Sequence, residues 1–229
     1  VSRPKVLFRR NEQGELLEPI EEVVIDLDAE HSGIVVQKLS ERKGELLEMR
    51  PSGGGRQRLV FYVPTRGLIG YQGELLTDTR GTGIMNRLFH AYAPYKGEIQ
   101  GRRNGVLIST EAGEAVAYAL WNLEDRGPMM IDPGVRVYAG MIVGEHTRDN
   151  DLEVNVLKGK KLTNIRTTSK DEAVRLPPPI RMTLERALAY IQDDELVEVT
   201  PKSIRLRKRH LDSNDRKKAE RQKLAMEPA

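Results

Sequence analysis

The 229-residue sequence contains no cysteine. That excludes disulfides and thiolate metal sites, and makes a reducing cytosol the expected setting. No apolar run approaches the roughly 18 residues a membrane-spanning helix needs, and no signal-peptide pattern occurs. The phosphate-cradling signature G-x-x-x-x-G-K-[ST] is also missing: Gly159-Lys160 lacks both the earlier glycine and the hydroxyl residue that would hold magnesium. Neither dinucleotide-binding nor zinc signatures occur. Carboxylate pairs such as Glu21-Glu22 and Asp193-Asp194 are adjacent, so on a strand they would face opposite ways and form no acid–base couple. The chain itself is therefore expected to be neither an enzyme nor a cofactor carrier, with no catalytic and no metal residues assigned.

What is present describes a folded, well-solvated protein, 38% hydrophobic and 31% charged, long enough for two cores. The formal net charge is only +3, but the pI near 9.0 hides an asymmetry. The first 30 residues are rich in acid, whereas Lys and Arg cluster from Lys158 onward. A locally basic surface on a nearly neutral chain points to a specific polyanion. The chain opens on Val1-Ser-Arg-Pro-Lys-Val-Leu-Phe-Arg, strand-like and without Met, as a piece of a longer protein would.

Period-two alternation predicts strands over Ile20–Leu27, Glu45–Arg50, Arg58–Val63 and Met85–Tyr92. Helical spacing runs through Ala29–Lys43, with Gly44 as the residue ending it, and from Thr65 as a cap to Gly81 or Gly83. The order β-α-β-β-α-β is that of a ferredoxin-like domain, one sheet face covered by helices and the other free for a partner. This assigns an α+β class, with the first domain over residues 17–96. From residue 97 to 211 short apolar runs separated by Gly127-Pro128 and Asp132-Pro133-Gly134 predict a β-rich, barrel-like or bent-sheet domain. Its strands are Val106–Ser109, Ala115–Leu120, Val135–Tyr138, Met141–Glu145, Leu152–Leu157, Glu195–Val199 and Ser203–Arg207, with one main helix at Thr183–Gln192. A charged, solvated tail, helical in pattern but lacking an apolar stripe and expected to fray, occupies residues 212–229.

Residues 158–175 sustain neither period and lie between a strand and Pro177-Pro178-Pro179. Long loops inside compact domains tend to be functional or disordered. Lys158, Lys160, Lys161, Arg166, Lys170 and Arg175 are phosphate donors, while Thr163, Asn164, Thr167 and Thr168 can bond sugars and base edges. Arg205, Arg207 and Arg209 extend the basic face, Arg205 and Arg207 alternating with Leu206 on a strand. Arg42, Lys43 and Arg66 are weaker candidates for RNA contact. In Arg42 and Lys43 the competing role is at the helix end, where cations complement the dipole.

Longer motifs add a resemblance. Leu17-Glu-Pro-Ile-Glu-Glu-Val, Leu39-Ser-Glu-Arg-Lys-Gly-Glu-Leu, Val63-Pro-Thr-Arg-Gly-Leu-Ile-Gly-Tyr and Thr79-Arg-Gly-Thr-Gly look like domain V of the elongation factor G class. Asn104-Gly-Val-Leu-Ile-Ser, Asp125-Arg-Gly, Asn150-Asp-Leu, Gly159-Lys-Lys-Leu-Thr-Asn and Pro178-Pro-Ile-Arg-Met-Thr-Leu-Glu are similar to the C-terminal part of the BipA/TypA family of ribosome-associated translational GTPases. The resemblance implies that residues 1–10 are the last strand of a preceding domain. It also implies that GTP and magnesium belong to a domain absent here. The partners it implies are ribosomal RNA and the acceptor end of A-site tRNA, reached by the 158–175 loop. The protein would be cytoplasmic, ribosome-associated, free of membrane contact and monomeric off the ribosome. A ferredoxin-like fold alone would equally permit a small-molecule-sensing or oligomerising module.

Overall fold

The computed structural model describes residues 1–159 and 175–226. It divides into two compact units, one of Pro4–Gly101 and the other of Val1–Arg3 with the chain from Arg102 onward. The break falls a few residues beyond the expected one.

The first unit contains β1 (Arg9–Arg10), β2 (Leu16–Asp28), α1 (Ser32–Glu41), β3 (Glu45–Gly53), β4 (Arg56–Pro64), α2 (Tyr71–Asp78) and β5 (Ile84–Pro94). The four long strands lie in the order β3-β4-β2-β5, all antiparallel, with β1 also paired to β2. Each βαβ crossover is thus split by an intervening strand, the ferredoxin-like arrangement. Alternation decides which face is buried. Val23, Ile25, Leu27, Leu59, Phe61 and Val63 form the floor, and Val35, Leu39, Leu68, Tyr71 and Leu75 cover it from the helical layer. The opposite face carries ion pairs instead: Arg58 grips Asp26 at 2.9 and 2.8 Å, and Arg56 reaches Asp28 at 3.3 Å.

Two helix boundaries differ from the sequence expectation. At the end of α1 the left-handed residue is Lys43, with φ of 65°, and not Gly44. Gly44 is needed for closeness: its N–H bonds Leu39 O at 2.7 Å, and a Cβ there would stand 2.8 Å from the same oxygen. Thr65 makes no capping bond; it opens a 3-10 turn, Thr65–Leu68, and α2 starts only at Tyr71 after the left-handed Gly70. Thr79 closes α2, its hydroxyl donating to Leu75 O at 2.6 Å and accepting from Gly83 N–H at 2.9 Å. That explains why a threonine leads the Thr79-Arg-Gly-Thr-Gly motif into β5.

The second unit contains β6 (Val106–Ser109), β7 (Gly113–Glu114), α3 (Ala117–Asn122), β8 (Arg136–Val137), β9 (Met141–Glu145), β10 (Leu152–Val154), α4 (Leu184–Tyr190), β11 (Glu195–Val199), β12 (Ile204–Lys208) and α5 (Ser213–Met226). Five strands form one sheet in the order β10-β6-β9-β12-β11, parallel only between β10 and β6. Among the described residues it is an open sheet, bounded by β10 and β11, while β7 and β8 make a separate ladder. One core holds Leu107, Leu120, Val137, Val143, Val154 and Val156. The other packs Ala187 and Ile191, in and just after α4, onto Val106, Ile108, Ile142, Val197 and Leu206.

Two expectations are corrected and one is refined. Ala115–Leu120 is not a strand: only Ala115 and Val116 are extended, and Ala117 begins α3. A continuous apolar run fits either period, and three alanines favour the helix. The charged tail forms the helix its sequence suggested, α5, mostly exposed and anchored where Asp212 Oδ1 accepts the N–H groups of Asn214 and Asp215 at 2.8 and 3.3 Å. Finally, residues 1–10 do not form one strand. Val1 exchanges backbone bonds with Val197 in the second unit, and Arg9–Arg10 pair with Leu16–Leu17 in the first.

Candidate nucleic-acid interface

Strand β12 is held by a buried ionic cluster. The Lys208 ammonium is almost sealed, at 2% exposure, and lies 2.6 Å from Asp151, 2.7 Å from Asp194 and 3.0 Å from Glu195. Glu195 is itself fully buried and is gripped by Arg102 at 2.8 and 3.1 Å. The Arg102 guanidinium also stacks on Tyr190, 4.4 Å from its ring centroid. Burial pushes the Glu195 carboxyl up, but the Arg102 hydrogen bonds and the Lys208 charge outweigh this and hold it below the usual carboxylate range. This set of charges, sealed at Lys208 and Glu195 and open to solvent at Asp151 and Asp194, fixes the ends of β11 and β12 relative to each other.

That rigid base presents the predicted arginines. Leu206 is buried, and Arg205 and Arg207 emerge half-buried on the opposite side of β12, as the alternation required. Arg205 stands in register with Glu198, which accepts a hydrogen bond from the Tyr138 hydroxyl. Arg209 is exposed; its backbone N–H donates to Asp194 O at 2.8 Å and its guanidinium to Asp193 O at 3.1 Å. Lys158 and Arg175 are both exposed, one at each end of the basic segment. Lys160, Lys161, Thr163, Asn164, Arg166, Thr167, Thr168 and Lys170 lie outside the described residues.

The weaker candidates divide. Arg42 donates to Gly67 O at 2.7 Å, Ile69 O at 3.3 Å and Glu74 at 2.5 Å, so its guanidinium ties α1 to the turn before α2. Arg66 holds the fully buried Glu18 at 2.5 and 3.2 Å and donates to Gly97 O at 2.5 Å. Both are already spent on the fold of the first unit, which favours a structural role for them over RNA contact. Lys43 is exposed.

A feature that the sequence reading missed lies beside Lys158. A cleft of about 750 Å³ opens between α3 and β10, lined by Tyr118, Asn122, Arg126, Leu152, Asn155 and Lys158 among others. Reading Ala115–Leu120 as a strand hid it, because Ala119 and Asn122, three residues apart, share a face on a helix and not on a strand. Among the described residues no group of histidines and carboxylates is placed to hold a metal ion, and no helix is long and apolar enough to cross a membrane.

Comparison with known proteins matches both units. Residues 15–103 fit the elongation factor G C-terminus, and residues 104–213 fit the TypA/BipA C-terminal domain. The chain is 55% identical over 222 residues to the large ribosomal subunit assembly factor BipA of Escherichia coli K12, covering 96% of this chain and 36% of that protein. The protein of the same name from Haemophilus influenzae is 52% identical over the same shares of each chain. That from Bacillus subtilis is 49% identical over 97% of this chain and 36% of its own length. The chain thus spans about a third of the curated relatives it matches. With an elongation factor G-type unit followed directly by a TypA/BipA C-terminal domain, and about half its residues identical to those relatives, the chain belongs to the TypA/BipA family.

Proposed function

We propose that this chain forms the ribosome-facing, RNA-contacting part of a TypA/BipA translational GTPase. The observation that carries the reading is a division of labour among cations in the second unit. Arg102, Lys208 and Arg216 are neutralised by carboxylates within the fold, whereas Lys158, Arg175, Arg126 and Arg209 are exposed. Exposed cations release counterions from a phosphate backbone, which is the main source of affinity for nucleic acid. Relatives named as large ribosomal subunit assembly factors support the ribosome as the partner, and ribosomal RNA is the polyanion this reading assigns to it.

In this reading the 158–175 segment makes the principal contacts. Lys160, Lys161, Arg166 and Lys170 neutralise phosphates, and Thr163, Asn164 and Thr167 bond sugars and base edges, the acceptor end of A-site tRNA being the particular target. Arg205, Arg207 and Arg209 widen the basic face. Binding of GTP with its magnesium, and its hydrolysis, are assigned to a part of the longer protein outside these residues. The work of this chain is recognition, in the cytoplasm and on the ribosome, by a protein monomeric when unbound.

The test is the salt dependence of ribosome association for the chain and for a Lys160→Ala, Lys161→Ala variant. Loss of two phosphate contacts flattens the log–log slope by roughly 0.7–0.9 per contact. Thermal stability stays unchanged. An unaltered slope removes these lysines from the interface.

A further inference from the structure

We infer that the cleft between α3 and β10 receives the base of one unpaired RNA nucleotide, its phosphate held at the rim by Arg126 and Lys158. The inference deepens the RNA reading above and rests on it. It names a site beside the loop, sharing with it Lys158 and Gly159.

The cleft's volume of about 750 Å³ falls in the range of pockets that enclose small organic ligands, ample for a nucleotide. Its walls supply the three things a nucleotide needs. Tyr118 offers an aromatic face, and Ala119, Leu152 and Val154 offer an apolar floor. Stacking on an aromatic ring accepts any base, because every base has a π-face. Asn122 and Asn155 supply amides for the base edge. Asn155 Oδ1 already accepts the Leu157 N–H at 2.9 Å, so its NH2 is the group left to donate. Asn122 makes no side-chain hydrogen bond among the described residues.

Charge selects an anion for the rim. Arg126 and Lys158 are exposed there, and among the described residues the lining contains one carboxylate, Glu153. That carboxylate is occupied by Arg216 of α5 at 2.5 Å. A base held this way must be unstacked from its neighbours, which a single strand, bulge or end permits and a continuous duplex does not.

The chain carries its own reporter. Trp121 is the only tryptophan, is exposed, and its ring centroid lies 6.2 Å from that of Tyr118. Titration of the full chain with a short single-stranded RNA is expected to change Trp121 fluorescence saturably, and a blunt-ended duplex of equal length is expected not to. Asn122→Leu with Arg126→Gln, both exposed, should weaken the single-strand titration roughly tenfold. Tyr118→Phe should keep it and Tyr118→Leu should lose it, with thermal melting confirming that each variant is folded. Equal affinity for the duplex, or indifference to Asn122→Leu/Arg126→Gln, overturns the site. Ribosome cosedimentation run in parallel separates the two ideas. If it persists while the single-strand titration fails, the cleft is refuted and the ribosome reading stands; loss of both refutes both.

Discussion

Lys208 Nζ lies 3.0 Å from Glu195 Oε1 with both side chains sealed from solvent, so a cation–anion pair sits between β11 and β12, the strand that leads through Arg205 and Arg207 to Arg209. Removing one partner of a buried pair leaves an uncompensated charge, whereas the intact pair adds little over an apolar one. Lys208→Met should therefore lower unfolding stability by about 3 kcal/mol, at the lower end of such effects because Arg102 still holds Glu195. A urea midpoint indistinguishable from that of the parent chain would show that the cluster is not what fixes β12.

The same cluster sets an acid limb. Burial pushes the Glu195 carboxyl up, but Arg102 and Lys208 hold it below its ordinary 4.5, so the folded chain binds fewer protons than the unfolded one as pH falls. Glu153, bonded to Ser213 and Arg216, and Asp26, bonded to Arg58, shift the same way. Their stabilisation is complete above the unfolded carboxylate range and is lost as pH drops through it toward the folded values. Burial pulls Lys208 down, but the charge of Glu195 and the bonds to Asp151 and Asp194 carry it above 10.5, so its contribution fades only on the far alkaline side. Thermal midpoints should be level from neutrality to about pH 5 and fall below it. Glu195→Gln should make that fall shallower.

Two arginines of the first unit should respond differently to truncation. Arg66 serves the fully buried Glu18, whereas Arg58 serves Asp26 on a partly exposed sheet face. Arg66→Ala is expected to cost about 3 kcal/mol, and Arg58→Ala to leave the denaturant midpoint nearly unchanged. If Arg66→Ala weakened ribosome binding at full stability, Arg66 would return to the list of RNA contacts.

Gly127 has φ of 141°, and a Cβ there would stand 2.0 Å from Glu145 O. It follows Arg126 directly, so the rim of the cleft is tied to β9 through the least tolerant backbone position nearby. Gly127→Ala should destabilise the chain by about 2–3 kcal/mol, seen as a lower denaturant midpoint. A neutral result would mean that this turn relaxes freely.

How much of this was legible in the sequence follows from which forces acted locally. The strands of the first unit alternate cleanly because one face is buried under helices and the other is wet, and Val23, Ile25 and Leu27 declare the register at once. Met141–Glu145 and Glu195–Val199 were also readable to the residue, as apolar runs bounded by turns. Ala115–Leu120 was not, since apolarity throughout erases the period that separates helix from strand. Arg205 and Arg207 could be placed outward from Leu206 alone. Lys208 could not be placed inward among carboxylates, because Asp151, Asp194 and Glu195 meet it only through tertiary pairing. The cleft was invisible for the same reason: α3 and β10 are far apart in sequence. The family, by contrast, was carried by whole motifs such as Gly159-Lys-Lys-Leu-Thr-Asn and Thr79-Arg-Gly-Thr-Gly.

The most direct test of the central claim is cosedimentation of this chain with purified ribosomes across a salt series, beside a version lacking residues 158–175. The account predicts saturable binding by the intact chain that weakens steeply with salt and is lost on deletion. Equal binding by both versions, or binding indifferent to salt, would contradict it.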